Sequence, residues 1–119
     1  MKDEYLDYIL ELLEPAGDIS SGRMFGGYAI YKNKLPIALS FDDTLYFKVD
    51  LENQADYQAV GSHPFTYEKG GKTIKISNWM VPIEILDDPE QLLEWTEKAY
   101  QVALRADAKK QKKKKQKKP

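Results

Sequence analysis

The sequence predicts a two-layer α+β domain, an antiparallel sheet covered by helices, in the order α-β-β-β-α-β-β-α. Three observations carry that reading. Apolar residues recur at helical spacing near both ends of the body, the pattern between them switches to a period of two, and short turn-like connections join the alternating runs. Connections that short make neighbouring strands antiparallel. Alternating strands build a sheet with one wet face, and the amphipathic helices must cover the other.

The first helix occupies residues 3–14, with Leu6, Ile9, Leu10 and Leu13 on one side. Asp3 is placed to cap its start, and Pro15 with Gly17 to end it. Glu4, Asp7, Glu11 and Glu14 step down another side at intervals of 3, 4 and 3. Like charges at that spacing weakly oppose a helix, so packing of the apolar side must hold it. The first strand is read from Arg23 to Tyr31, and Lys32-Asn33-Lys34 follows as a turn. Leu35, Ile37, Leu39 and Phe41 then alternate with Pro36, Ala38 and Ser40, and after Asp42-Asp43 a third strand carries Leu45, Phe47 and Val49. Pro36 cannot donate a ladder hydrogen bond, so it belongs near a strand start or on an edge. Asp50 is read as the cap of a short helix over 51–60, with Leu51, Ala55 and Ala59 on one face and Gly61 ending it. A hairpin follows, from Phe65 to Lys69 and from Lys72 to Asn78 around Gly70-Gly71. Asp88-Pro89-Glu90-Gln91 is a helix start with cap, early Pro and a Gln three residues after the cap. The last helix buries Leu92, Trp95, Ala99, Val102, Ala103 and Ala106, and Asp87, Glu90, Glu94 and Glu97 repeat the acidic steps of the first.

Charge divides the 119 residues in two. The net charge is −1, yet residues 109–119, KKQKKKKQKKP, hold eight of the 18 basic residues and no acid. The remaining 10 basic and 19 acidic residues give a body of −9 over 1–108 and a tail of +8. Residues 1–108 are therefore read as the domain and 109–119 as a disordered lysine-rich tail. A uniformly basic nucleic-acid-binding domain is excluded.

The residues also narrow the chemistry. There is no cysteine, hence no disulfide, thiolate metal site or cysteine nucleophile. The one histidine, His63, lies in the turn-like Gly61-Ser62-His63-Pro64, and its expected role is at the surface or in capping. Asp42-Asp43 and Asp87-Asp88 stand where turns and helix starts want acids. Gly71-Lys72-Thr73 resembles the end of a phosphate-binding loop, but Thr66 stands where its first Gly is needed and a strand follows. No catalytic residue, cofactor or metal is expected. The acidic N-terminus lacks a signal-peptide pattern and no run is long enough for a membrane span, so a cytoplasmic protein is expected.

Arg23-Met24-Phe25-Gly26-Gly27-Tyr28 followed by Ile30-Tyr31 resembles the opening signature of the TfoX/Sxy N-terminal domain family. Leu45-Tyr46-Phe47-Lys48-Val49-Asp50, Pro64-Phe65-x-Tyr67, Trp79-x-x-Pro82, Leu86-Asp87-Asp88, Leu92 and Trp95 continue it in order, over about residues 1–105. The resemblance implies a two-layer fold similar to that of secretion chaperones. It also implies a role in regulating natural competence, where full-length members promote transcription of DNA-uptake genes together with the cyclic-AMP receptor protein. Those members join this domain to a helical C-terminal domain, and a lysine tail stands in that place here. The motif residues have structural uses too: Gly26-Gly27 suggests a bulge or a close backbone approach, and the aromatics are expected to fill the sheet–helix core.

Two functional readings follow. The first is a non-enzymatic regulatory module that binds a protein, such as a DNA-binding regulator, through Arg23 and through the acidic stripes represented by Glu11 and Glu94. For Arg23 taken alone, an internal salt bridge is the favoured role. The second is weak, non-specific nucleic-acid binding through Lys109, Lys110, Lys112, Lys113, Lys114, Lys115, Lys117 and Lys118, which lack interleaved aromatics for stacking. At low ionic strength the tail is also expected to visit the acidic stripe of the last helix.

Overall fold

The computed structural model describes residues 3–24 and 26–116, with side chains as far as Lys112. Helix α1 (Glu4–Leu13) starts as expected, with the Leu6 amide donating to Asp3 Oδ1 at 3.0 Å. It buries Leu6, Ile9 and Leu13, while the acids of its stripe are exposed. A 3-10 turn at Glu14–Ala16 and Gly17 at φ 122° end it.

Six strands follow in one antiparallel sheet of order β1-β2-β3-β4-β6-β5. They are β1 (Ile19–Met24), β2 (Gly27–Lys32), β3 (Leu35–Phe41), β4 (Thr44–Lys48), β5 (Pro64–Lys69) and β6 (Lys72–Met80). The run read as one strand from Arg23 is two: Met24 pairs with Gly27, and the chain reverses at Gly26, φ +78°. Three two-residue turns join β2 to β3, β3 to β4 and β5 to β6. Both residues of each have positive φ: Asn33 and Lys34, Asp42 and Asp43, Gly70 and Gly71. That backbone matches the right-handed twist of the strands it joins. Gly27 is where two backbones meet: a Cβ there would lie 2.3 Å from the Ser40 carbonyl oxygen.

The β2–β3 ladder slips by one residue. Ile30 pairs with Ala38 and Tyr31 with Pro36, which leaves Ile37 as an extra residue on β3. Pro36 has no N–H for the ladder, and a bulge accommodates it. The bulge changes the phase of the alternation. Leu35, Ile37 and Ala38 all join the cluster under the helices, whereas Leu39 and Phe41 belong to a second cluster on the other side of the sheet. The single period of two read from Leu35 to Phe41 therefore does not hold.

The connection from β4 to β5 also differs from expectation. Helix α2 covers only Gln54–Ala59, after a turn in which Asp50 Oδ1 accepts the Glu52 amide at 2.9 Å. Leu51, at 91% exposure, Ala55 and Ala59 face solvent, and the buried residues are Asn53 and Tyr57. Asn53 Oδ1 accepts from the Asp50 amide and its Nδ2 donates to the Lys48 carbonyl, so the turn is held by a side chain acting as backbone. Tyr57 is 1% exposed and lies 4.5 Å from Trp95 and 6.3 Å from Trp79, ring centre to ring centre. Gly61, φ +71°, turns the chain out of this region as expected.

A short helix that the sequence pattern did not indicate, α3 (Ile83–Leu86), begins after Pro82. Asp88 then caps α4 (Pro89–Gln116): its Oδ1 accepts the Glu90 and Gln91 amides and its Oδ2 the Gln91 side-chain N–H. Leu92, Trp95, Ala99, Val102 and Ala103 are buried as α4 crosses β3 and β4, but Ala106 is exposed. Polar ties hold both flanks of the helix. Arg105 binds Asp50 through Nε at 2.8 Å and Nη2 at 3.1 Å, Lys98 meets Asp56 at 2.8 Å, and Lys32 meets Glu97 at 3.3 Å. The tail, read as disordered from Lys109, continues this helix to Gln116. Lysine and glutamine favour helix once a folded segment has nucleated it, and positive charge suits a helix C-terminus. Residues 117–119, with Lys117 and Lys118, lie outside the described residues.

Three outcomes test this architecture. The Tyr57 hydroxyl is buried without a hydrogen-bond partner among the described residues, so Tyr57→Phe raises stability by about 1 kcal/mol, seen as a higher melting temperature. Gly27→Ala costs roughly 3 kcal/mol in denaturant titrations because a backbone must move. Gly22→Ala is its control and stays within about 0.5 kcal/mol, since its Cβ would meet only the Tyr31 ring at 3.8 Å. The Arg105 hydrogen bond holds the Asp50 carboxyl below its ordinary value. A carboxyl lowered on folding contributes stability above its unfolded value, about 3.9, and loses it as pH falls through the folded one. The melting-temperature gap between the native chain and Arg105→Ala is therefore constant above about pH 5 and closes below about pH 4.

Candidate functional site

The helices cover one face of the sheet, and the other face is not the polar surface that the alternation implied. Ala29 and Tyr31 of β2, Leu39 and Phe41 of β3, Tyr46 of β4, Phe65 and Tyr67 of β5 and Ile76 of β6 form one cluster there. Tyr31, Tyr46, Phe65 and Tyr67, motif aromatics expected in the sheet–helix core, thus lie across the sheet from it, with Phe41 beside them. Phe65 is the centre. Its ring stands edge-on to Phe41 at 5.3 Å and to Tyr46 at 5.0 Å, and is tilted against Tyr67 at 6.2 Å. Edge-to-face pairs place the positive ring edge against the negative face of the neighbour, which adds to the gain from area burial.

Phe65 is 5% exposed although no helical residue among the described ones joins its cluster. Its position depends on a register shift between Pro64 and Thr66 in the β5–β6 ladder. The rings around it remain half-buried: Tyr31, Phe41, Tyr46 and Tyr67, with Ile76 beside them. On the β1–β2 side the face is floored by small residues, since Ser20 and Gly22 stand opposite Tyr31 and Ala29. A face of half-exposed rings beside a low floor offers apolar area and shape.

The residues singled out from the sequence lie elsewhere. Arg23 is exposed on β1 and lines an open cleft of about 700 Å³ with Asp3, Glu4, Tyr5, Gly26, Tyr28 and Asp43. Among the described residues it makes no ion pair, so the internal salt bridge is not formed there. Burial, with the charges of Tyr8 and Asp43 behind it, pushes the Tyr5 hydroxyl up to about 12. It remains a neutral hydrogen-bonding group in this cleft at neutral pH. Glu4 of the α1 stripe reaches the cleft; Glu11, two turns further along, is exposed outside it.

The α4 stripe is partly tied into the body. Glu94 lies 3.8 Å from Lys98, and Glu97 accepts from Lys32 and from Gln101 Nε2 at 2.7 Å. The Gln101 and Lys32 bonds, in that order, keep the Glu97 carboxyl below its usual value. Arg23, Glu11 and Glu94 are thus not gathered into one site. His63 is exposed, with Nδ1 3.3 Å from the Pro64 carbonyl. Among the described residues no group of three or more His, Asp or Glu is arranged to hold a metal ion. No helix among them is long and apolar enough to cross a membrane.

The sequence reading missed the aromatic face. Its signal was present in Tyr46, Phe65 and Tyr67, which occupy the positions that a one-sided sheet would give to polar residues.

Comparison with known proteins bears on the whole body rather than on one surface. The model of the TfoX N-terminal domain family matches residues 11–103. No curated protein matches the chain. The matched span runs from α1 to the last buried turn of α4 and includes all six strands. With the family's motifs in order along that span, this chain belongs to the TfoX N-terminal domain family, a family associated with the regulation of competence.

Proposed function

We propose that this chain is a regulatory module that works by binding another protein and performs no catalysis, with the helix-free aromatic face as its main contact. The observation that carries this reading is the cluster around Phe65, whose surrounding rings stay half-exposed on a face without helices. Aromatic side chains supply most of the energy at protein contacts because they bury large area at little entropic cost. Arg23, exposed on the edge strand β1 and without an ion pair among the described residues, adds a charge that an acidic group of the partner can meet. Family membership favours a transcription regulator as the partner, acting in the cytoplasm, and the cyclic-AMP receptor protein is the candidate that the resemblance names.

The test uses the receptor protein from the same cell and the double variant Tyr31→Ser, Ile76→Ser. Both positions are half-buried on the aromatic face and outside the helix-covered cluster. Binding measured by calorimetry falls at least 10-fold, as expected for two contact side chains worth about 1 kcal/mol each. Transcription of DNA-uptake genes in a complemented deletion strain falls with it, while the circular dichroism spectrum is kept. A double variant that binds and complements like the native chain, beside a Glu11→Lys, Glu94→Lys variant that does not, would move the contact to the acidic stripes.

A further inference from the structure

Among the described side chains, the part of α4 beyond Asp107 is exposed. Among the described residues the last side chain the helix buries is Ala103, its last ion pairs are those of Arg105 with Asp50 and Glu52, and Ala108 to Lys112 are all exposed. Yet the helix runs on to Gln116, 13 residues beyond Ala103, or about 20 Å at the rise of an α-helix. Six lysines fall within residues 109–115. On a helix they place one positive charge every ~1.8 Å of axis, against one negative charge per ~1.7 Å of duplex DNA.

Shape agrees with charge. A bare helix is about 10–12 Å wide and the major groove of B-form DNA is about 12 Å. The segment 109–116 contains only Lys and Gln, so it offers no apolar stripe for a membrane or a hydrophobic protein groove. Lys48, at the end of β4, adds to the same region: burial first, and then the nearby charge of Lys110, press its ammonium below the usual value. Lysines three and four apart repel one another along the helix, and an external polyanion relieves that repulsion.

We propose that the lysine-bearing end of α4 binds duplex DNA through its phosphates, without reading base sequence. The segment has no aromatic residue for stacking and no arginine fork, and its near-uniform run of lysines presents the same point charges to any sequence. No described residue of α4 belongs to the aromatic cluster, so this surface and that one are built from different elements.

The test is fluorescence anisotropy of the full chain with two 20-base-pair duplexes of unrelated sequence, between 50 and 200 mM salt. Both bind alike, and the log–log salt slope lies between about −5 and −7. Replacing Lys110→Gln and Lys113→Gln together flattens the slope by about 1.8, while a melting curve shows the body intact. Double-stranded RNA of equal length binds more weakly, because its major groove is deep and narrow. Four results overturn the proposal: no binding at 50 mM salt, a slope that ignores the lysine substitutions, RNA binding equal to that of DNA, or polyglutamate of matched charge binding as tightly as the duplex. The last would identify an acidic protein, or the acidic half of a second copy, as the occupant.

Discussion

The one-residue slip between β2 and β3 is the constraint on which both faces of the sheet depend. Because Pro36 cannot donate to the ladder, Ile37 is left over, and Ile37 and Ala38 both turn toward the helices. From that point on, the strand presents Leu39 and Phe41 to the opposite face. Without the slip, Leu39 and Phe41 would point under α4 and Ser40 would stand among the rings. Gly27 depends on the same neighbourhood, since it lets β2 lie against the backbone at Ser40 and Phe41. A one-residue shift moves a whole set of side chains across a sheet, and here it divides one strand between the core and the exposed aromatic face.

What could be read from the sequence was what is decided locally. The Asp3 cap, the Asp88 cap with Gln91, the two-residue turns at Asp42-Asp43 and Gly70-Gly71 and the apolar side of α1 each depend on residues a few positions apart, and each is found. The misread parts depend on distant partners. Strand β1 has almost no apolar alternation, and it is a strand because β2 pairs with it along one edge. The buried side of α2 is set by Tyr57, which is drawn in by Trp79 and Trp95, and the local pattern of Leu51, Ala55 and Ala59 pointed to the wrong side. The lysine run resembled disorder because composition says nothing of a helix already nucleated 20 residues upstream. Of the candidate sites, Arg23 was legible as a charge without an obvious duty; the rings around Phe65 were legible only as hydrophobic residues.

The two charged stripes do not have equal standing. On α1 the acids are exposed along the helix. On α4, Glu97 and Glu94 belong to bonds with Lys32, Gln101 and Lys98 that hold the helix against the sheet and against its own next turn. Exposed pairs of this sort contribute little stability individually. Together with Arg105–Asp50 and Lys98–Asp56 they fix how α4 is rotated about its axis, and hence which way its unburied end leaves the body.

That single helix therefore works as a rigid charge rod. Glu90, Glu94 and Glu97 sit near one end and the lysines from Lys109 at the other, with about 27 Å of helix between Glu94 and Lys112. Charges of opposite sign held that far apart give the molecule a permanent moment, and an electric field exerts a torque on it. Near any strongly negative body the molecule turns before it touches, arriving with its C-terminal end foremost and its acidic half trailing. A net charge of −1 conceals this: the molecule barely drifts in a uniform field, yet it aligns in one.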